Sequence, residues 1–176
     1  MAESRPVATP MAMKLHKRKP DEEACDPIIY QSMIGSLMYA MTATPPNIAY
    51  AIGVLSQYNH DPSNEHMVAL KHVFRYLNGT MDWRLPLGVV LGERALKCYV
   101  DSDCAGFPDD YKLTSGLDIT FGGVVDWRSR KQKSTAQSTT DAKYYAFGIG
   151  CMRLTQISHL LKELCIPTIP HVFSDS

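Results

Sequence analysis

The segment Ser138–Asp175, STTDAKYYAFGIGCMRLTQISHLLKELCIPTIPHVFSD, decides the fold. Ser138 or Thr139 can cap a helix, because a hydroxyl at that position accepts from the otherwise unpaired amides of the first turn. Apolar positions then recur at helical spacing, from Ala142, Tyr145, Ala146, Ile149 and Met152 on through Ile157, Leu160, Leu161 and Leu164. Ile166-Pro167 ends the helix, since a residue before proline is pushed out of the α region. Pro170–Asp175 (PHVFSD) is an apolar run closing on an acid, the pattern of a buried parallel strand.

Upstream of that helix the period changes to two. Ala95–Val100 (ALKCYV) reads as a strand, and Leu117–Phe121 and Val124–Trp127 read as two more, joined tightly at Gly122-Gly123. Strand, strand, strand, helix, strand is an α/β order in which the helix carries the chain back to the sheet. Further upstream the period is helical again. Met33, Ile34, Leu37, Met38 and Met41 form one stripe, and Ile48, Ala51, Ile52 and Leu55 form a second behind a Thr44 cap and Pro45. Asp61-Pro62-Ser63 signals a third helix carrying Met67, Leu70, Val73, Phe74 and Leu77, which stops at Asn78-Gly79. The fold class is therefore mixed α/β, a helical segment followed by a mixed sheet with one long helix. Residues 1–29 are expected to be a mobile arm, 30–92 the helical segment and 93–176 the sheet domain. The arm is rich in proline and charge, with Lys14-Leu15-His16-Lys17-Arg18-Lys19 ahead of Asp21-Glu22-Glu23. Its basic run reads as solvated surface or as a nuclear-localisation or phosphate-contacting segment.

Composition narrows the function classes. A hydrophobic share of 45% supplies an ordinary core, and a formal net charge of +0 excludes a wholly basic nucleic-acid binder while leaving room for a local patch. The five cysteines include no pair at the spacing of a zinc knuckle or redox motif. Reduced thiols point to an intracellular chain, cytoplasmic or nuclear and not secreted. His60, His66 and His72 recur every six residues, but six helical steps turn about 240°, so no shared metal-binding face is expected. No apolar run approaches the roughly 20 residues of a membrane span, and no membrane partner is expected.

Two aspartates, Asp101 and Asp175, stand at the carboxyl ends of expected strands, where open α/β sheets place their ligands. They could hold Mg²⁺, or they could be turn and cap residues. Cys98–Gly106 (CYVDSDCAG), Lys112–Gly116 (KLTSG), Trp127–Lys133 (WRSRKQK) and Ser138–Ala146 (STTDAKYYA), in this order and spacing, resemble copia-type ribonuclease H. Tyr30–Tyr39 (YQSMIGSLMY), Ile48–Ile52 (IAYAI), Leu55-Ser56 and Phe74–Thr80 (FRYLNGT) are similar to the segment between the polymerase palm and that nuclease. The resemblance, to a copia-type retrotransposon Pol polyprotein, covers Lys14–Ser176. It implies that 30–92 is a helical reverse-transcriptase tail and that 93–176 is a truncated ribonuclease H-like domain. Such domains cleave the RNA strand of an RNA–DNA hybrid with two Mg²⁺ ions held by acidic side chains.

By this resemblance Asp101 is the metal ligand of the first strand and Asp175 the acid after the long helix. The position of the helix glutamate is Lys143, within Asp141-Ala142-Lys143-Tyr144. Asp141 lies two residues back, about 200° around the helix, and does not substitute. Pro45, Asn47, Cys104 and Leu113 also depart from the family's usual residues. An ammonium where a carboxylate should face divalent cations implies lost catalysis, as does the stop at Ser176, which leaves the sheet unfinished and open to self-association. Arg128, Arg130, Lys131 and Lys133 beside Trp127 are the candidate nucleic-acid contacts. The expectation is a degenerate retrotransposon-derived piece without hydrolysis and with weak affinity for a hybrid or other nucleic acid. The alternatives are a residual Mg²⁺-dependent ribonuclease H and a protein-interaction module.

Overall fold

A computed structural model of the chain describes residues 4–12, 14–43, 46–85, 95–103, 113–132 and 138–174. The described residues up to Arg84 form one compact unit and those from Leu85 onward another.

The first unit is helical: α1 (Pro27–Ala43), α2 (Ala49–Leu55) and α3 (Asn64–Gly79). Short 3-10 turns stand at Pro46–Ile48 and Ser56–Tyr58. Tyr30, Ile34 and Leu37 on α1 and Leu70, Val73 and Tyr76 on α3 recur at spacings of three and four, so each helix buries one stripe against the others. Tyr30 completes its burial by donating its hydroxyl to the Leu55 carbonyl at 2.9 Å. α3 starts where its sequence signal lies. Ser63 Oγ accepts from the His66 amide, and His66 Nδ1 accepts from the Ser63 amide at 2.9 Å, a reciprocal cap that fixes the His66 tautomer. Thr44 and Pro45, expected to open the second helix, lie outside the described residues.

The expected mobile arm is irregular in backbone but lies along α3. Side chains of α3 hold its carbonyls in order: Asn78 on Ser4 at 3.2 Å, Arg75 on Arg5 at 2.8 Å, His72 on Thr9 at 2.9 Å and His66 on His16 at 2.8 Å. Leu15 is buried in the core, and Val7 and Met11 pack against it. An arm with no periodic stripe is thus anchored by single apolar residues and by its own carbonyls, neither of which shows as a period.

The second unit is a mixed sheet of order β3-β2-β1-β4, built from β1 (Ala95–Asp103), β2 (Thr114–Thr120), β3 (Val124–Lys131) and β4 (Ile169–Ser174), with α4 (Thr139–Glu163). β1, β2 and β3 pair antiparallel, whereas β4 pairs parallel to β1. The β2–β3 turn uses Gly122 at φ 68, a conformation that costs glycine nothing. α4 packs on β1 through Ala142, Ala146, Gly150 and Leu154, all buried. The small residues allow close approach: a Cβ added at Gly150 would lie 2.5 Å from Val100 Cγ2.

The buried stripe of α4 is narrower than its apolar sequence. Tyr145, Met152, Leu160 and Leu164, expected to face the core, are exposed, Met152 and Leu164 at 60% each. The reason is geometric: one face of a four-stranded sheet accepts one stripe of a helix, with Ile149, Ile157 and Leu161 half-buried at its margin, and the apolar residues beyond it stay exposed.

Candidate functional site

β1 separates two faces by its pleat. Leu96, Cys98, Val100 and Ser102 are buried toward α4, while Tyr99 and Asp101 alternate with them and are exposed on the other face. The register extends that outer face across the sheet. Asp118 stands opposite Tyr99, Trp127 opposite Asp118, and Gly116, which has no side chain, opposite Asp101. On β4, Phe173 is opposite Tyr99 and their rings stack at 5.2 Å; His171 is 6.4 Å from Phe173. Desolvation pushes the Asp118 carboxyl above its ordinary value. Asp101 therefore belongs to an outer face of mixed aromatic and acidic character, near the carboxyl end of the central strand.

The first turn of α4 is held level with Asp101. Ser138 Oγ caps it by accepting from the Asp141 amide at 3.1 Å. Buried Gln132 then donates its side-chain amide both to Ser115 Oγ at 2.8 Å and to the Ala142 carbonyl at 3.1 Å. Ser115 is the strand partner of Ser102, the neighbour of Asp101. Ala142 is buried, Lys143 half-buried and Asp141 exposed, so the lysine lies nearer the sheet than the aspartate does. β4 runs in register with β1 to the Val100–Ser174 pair. Asp175 and Lys133 lie outside the described residues.

The basic residues lie on a strand, and the pleat divides them. Arg128 is opposite Leu117 and Arg130 opposite Ser115, which puts both on the α4 side; Lys131, opposite Thr114, falls on the outer side with Trp127. Both arginines are exposed. Asp126, also on the α4 side, accepts from Arg153 Nε at 2.6 Å and lies 3.9 Å from Arg128 Nε, tying α4 to the edge strand. Charge of one sign in sequence thus becomes a pair of arginines beside α4 and a separate lysine behind the sheet.

Another set of polar side chains converges in the helical unit, and sequence pattern does not reveal it. His16 and Glu22 of the arm meet Glu65 of α3, with their donor atoms all within 4.8 Å of one another. These residues are far apart in the chain and form no motif; only the docking of the arm brings them together.

No family model and no solved structure matches the chain. It is 38% identical over 172 residues, 93% of its length, to the retrovirus-related Pol polyprotein from transposon TNT 1-94 of Nicotiana tabacum. It is 40% identical over 173 residues, 94% of its length, to that from transposon RE2 of Arabidopsis thaliana. The chain belongs to the retrovirus-related Pol polyproteins of copia-type transposons. This Pol chain spans 13% and 11% of the length of those two relatives. It is also 42% identical over 118 residues to the secreted RxLR effector protein 161 of Plasmopara viticola, matching 66% of the Pol chain and 82% of that protein. The two polyprotein matches run through both compact units of the Pol chain, so the helical unit and the sheet unit share one origin.

Proposed function

We propose that residues 93–176 of this Pol chain are a ribonuclease H-type nucleic-acid module in which hydrolysis is lost and a weak, sequence-independent affinity for nucleic acid remains. The observation that carries the proposal is the half-buried lysine at position 143, in a helical turn that Gln132 ties to the level of Asp101. Asp101 stands on the face of β1 turned away from α4, so the effect of Lys143 on a cation there is taken at a working separation of about 10 Å. At that distance and an effective dielectric of about 20, two unit charges interact by ~1.7 kcal/mol, and a divalent cation doubles the effect. Exchanging a carboxylate for an ammonium reverses the sign. Even after solvent screening, the swap disfavours a metal beside Asp101 by tenfold or more, taking ~1.4 kcal/mol per decade. In this reading the two Mg²⁺ ions of the family are poorly held, since hard cations need several oxygen ligands and position 143 offers an ammonium instead.

Nucleic-acid affinity is assigned to Arg128 and Arg130, exposed beside α4 on the edge strand. The module belongs inside the cell, where the free thiols of Cys25, Cys98, Cys151 and Cys165 stay reduced. The test is fluorescence anisotropy of a labelled RNA–DNA hybrid against salt. Two phosphate contacts fewer should flatten the salt slope of the Arg128→Ala/Arg130→Ala variant by about 1.8. No binding at low salt, or an unchanged slope, overturns the reading.

A second reading, self-association, is favoured by the exposed α4 side chains Tyr144, Met152, Leu160 and Leu164. Sedimentation velocity across a concentration series tests it, and a single monomeric species at all concentrations counts against it.

A further inference from the structure

We infer that His16, Glu22 and Glu65 form a binding site for a divalent transition-metal ion of the zinc type, clipping the N-terminal arm to the first turn of α3. The site is independent of the acidic positions on the sheet. His16 Nε2 lies 3.7 Å from Glu22 Oε1 and 3.7 Å from Glu65 Oε2. Those separations are too long for hydrogen bonds, since an N···O distance of about 3.6 Å is already beyond one. They are close to what a shared metal requires: bonds of about 2.0–2.2 Å from N and O ligands set neighbouring donors roughly 3.4 Å apart. The widest gap in the set is within 4.8 Å, a distance that a carboxylate rotation closes.

The tautomer of His16 points the same way. Its Nδ1 lies 3.0 Å from the Lys17 carbonyl, an acceptor only, so Nδ1 carries a proton and Nε2 is the ring atom that can ligate when the ring is neutral. Nε2 faces two carboxylates, an arrangement of three ligand atoms around one point that a cation satisfies. Two carboxylates and a neutral imidazole balance the charge of a divalent ion. Imidazole favours zinc, copper or nickel over magnesium or calcium.

The ligands are also held from behind. His66, locked by the α3 cap, donates from Nε2 to the His16 carbonyl at 2.8 Å, and the neighbouring Leu15 is buried. The Lys19 amide donates to Glu22 Oε2 at 3.3 Å, leaving Oε1 turned toward His16. Supporting contacts of this kind orient metal ligands and raise their affinity. Three protein ligands leave a further coordination position for water.

The experiment uses the purified full chain, titrated with Zn²⁺ by calorimetry in a non-chelating buffer and with Co²⁺ by absorption spectroscopy. One equivalent should bind, with a cobalt spectrum lacking the intense near-ultraviolet bands of thiolate ligation. His16→Ala and Glu65→Gln should each weaken binding by about 100-fold, since losing even a supporting contact typically costs 10–100-fold. Circular dichroism of both variants checks that the helical unit still folds. Absence of binding, a thiolate spectrum from the free cysteines, or full affinity in both variants overturns the assignment.

Discussion

Gly150→Ala places two opposing effects on one position. In a helix interior alanine is favoured over glycine by about 1 kcal/mol, so propensity alone stabilises α4. Packing acts the other way. The new methyl would lie 2.5 Å from Val100 Cγ2 and 3.3 Å from Cys98 Sγ, contacts that require something to move. Val100 is β-branched and stiff at χ1, and it sits on a central strand paired on both sides, so it yields poorly. Overpacking of this kind costs about 1–3 kcal/mol, and the net expectation is a destabilisation of roughly 1–2 kcal/mol. For a domain of this size that lowers Tm by about 5–10 °C. Gly148 is the internal control, because a Cβ there meets nothing within 4 Å. Gly148→Ala should therefore gain up to about 1 kcal/mol from propensity. Both variants are measured by urea and thermal unfolding, followed through Trp127 fluorescence in a Trp83→Phe background. If Gly150→Ala stabilises as much as Gly148→Ala, α4 does not lie on β1 in the way described.

Ser63→Ala removes the hydroxyl that caps α3 and should cost about 1 kcal/mol in unfolding of the helical unit by circular dichroism, with Ser63→Asn recovering most of it. The Asp118 carboxyl, raised above its ordinary value of 3.8 by burial, prefers its protonated form when folded. Its favourable contribution is complete below pH 3.8 and is lost as pH rises through the raised folded value, so Asp118→Asn should raise Tm at pH 7 and leave it nearly unchanged at pH 3. Lys143→Glu should strengthen Mg²⁺ binding by tenfold or more in calorimetry, and the gain should vanish when Asp101→Asn is added.

The elements were legible where one period ran long enough. The α3 stripe with its Asp61-Pro62-Ser63 signal, the Gly122-Gly123 turn and the parallel pairing of the closing strand all follow from local chemistry that tertiary contacts reinforce; the expected burial of that strand does not hold, since β4 is at the edge of the described sheet and only Val172 is half-buried. Which apolar residues of α4 are buried was not legible, because Tyr145 and Ala146 read alike in a pattern while one helical step of about 100° turns Ala146 to the sheet and leaves Tyr145 exposed. The basic run 128–131 looked like one cluster because a linear sequence does not announce a pleat; the register separates Arg128 and Arg130 from Lys131. The convergence of His16, Glu22 and Glu65 was invisible for a different reason. It depends on carbonyl contacts of the arm with α3, and backbone carbonyls are the same in every sequence.

The most direct measurement is incubation of the purified chain with an end-labelled RNA–DNA hybrid in Mg²⁺ and, separately, in Mn²⁺, with products resolved on a denaturing gel. Intact RNA at low salt, where the hybrid is bound, is the result that follows from the proposal that Lys143 disfavours a metal at Asp101. RNA cleavage that disappears in Asp101→Asn would contradict it.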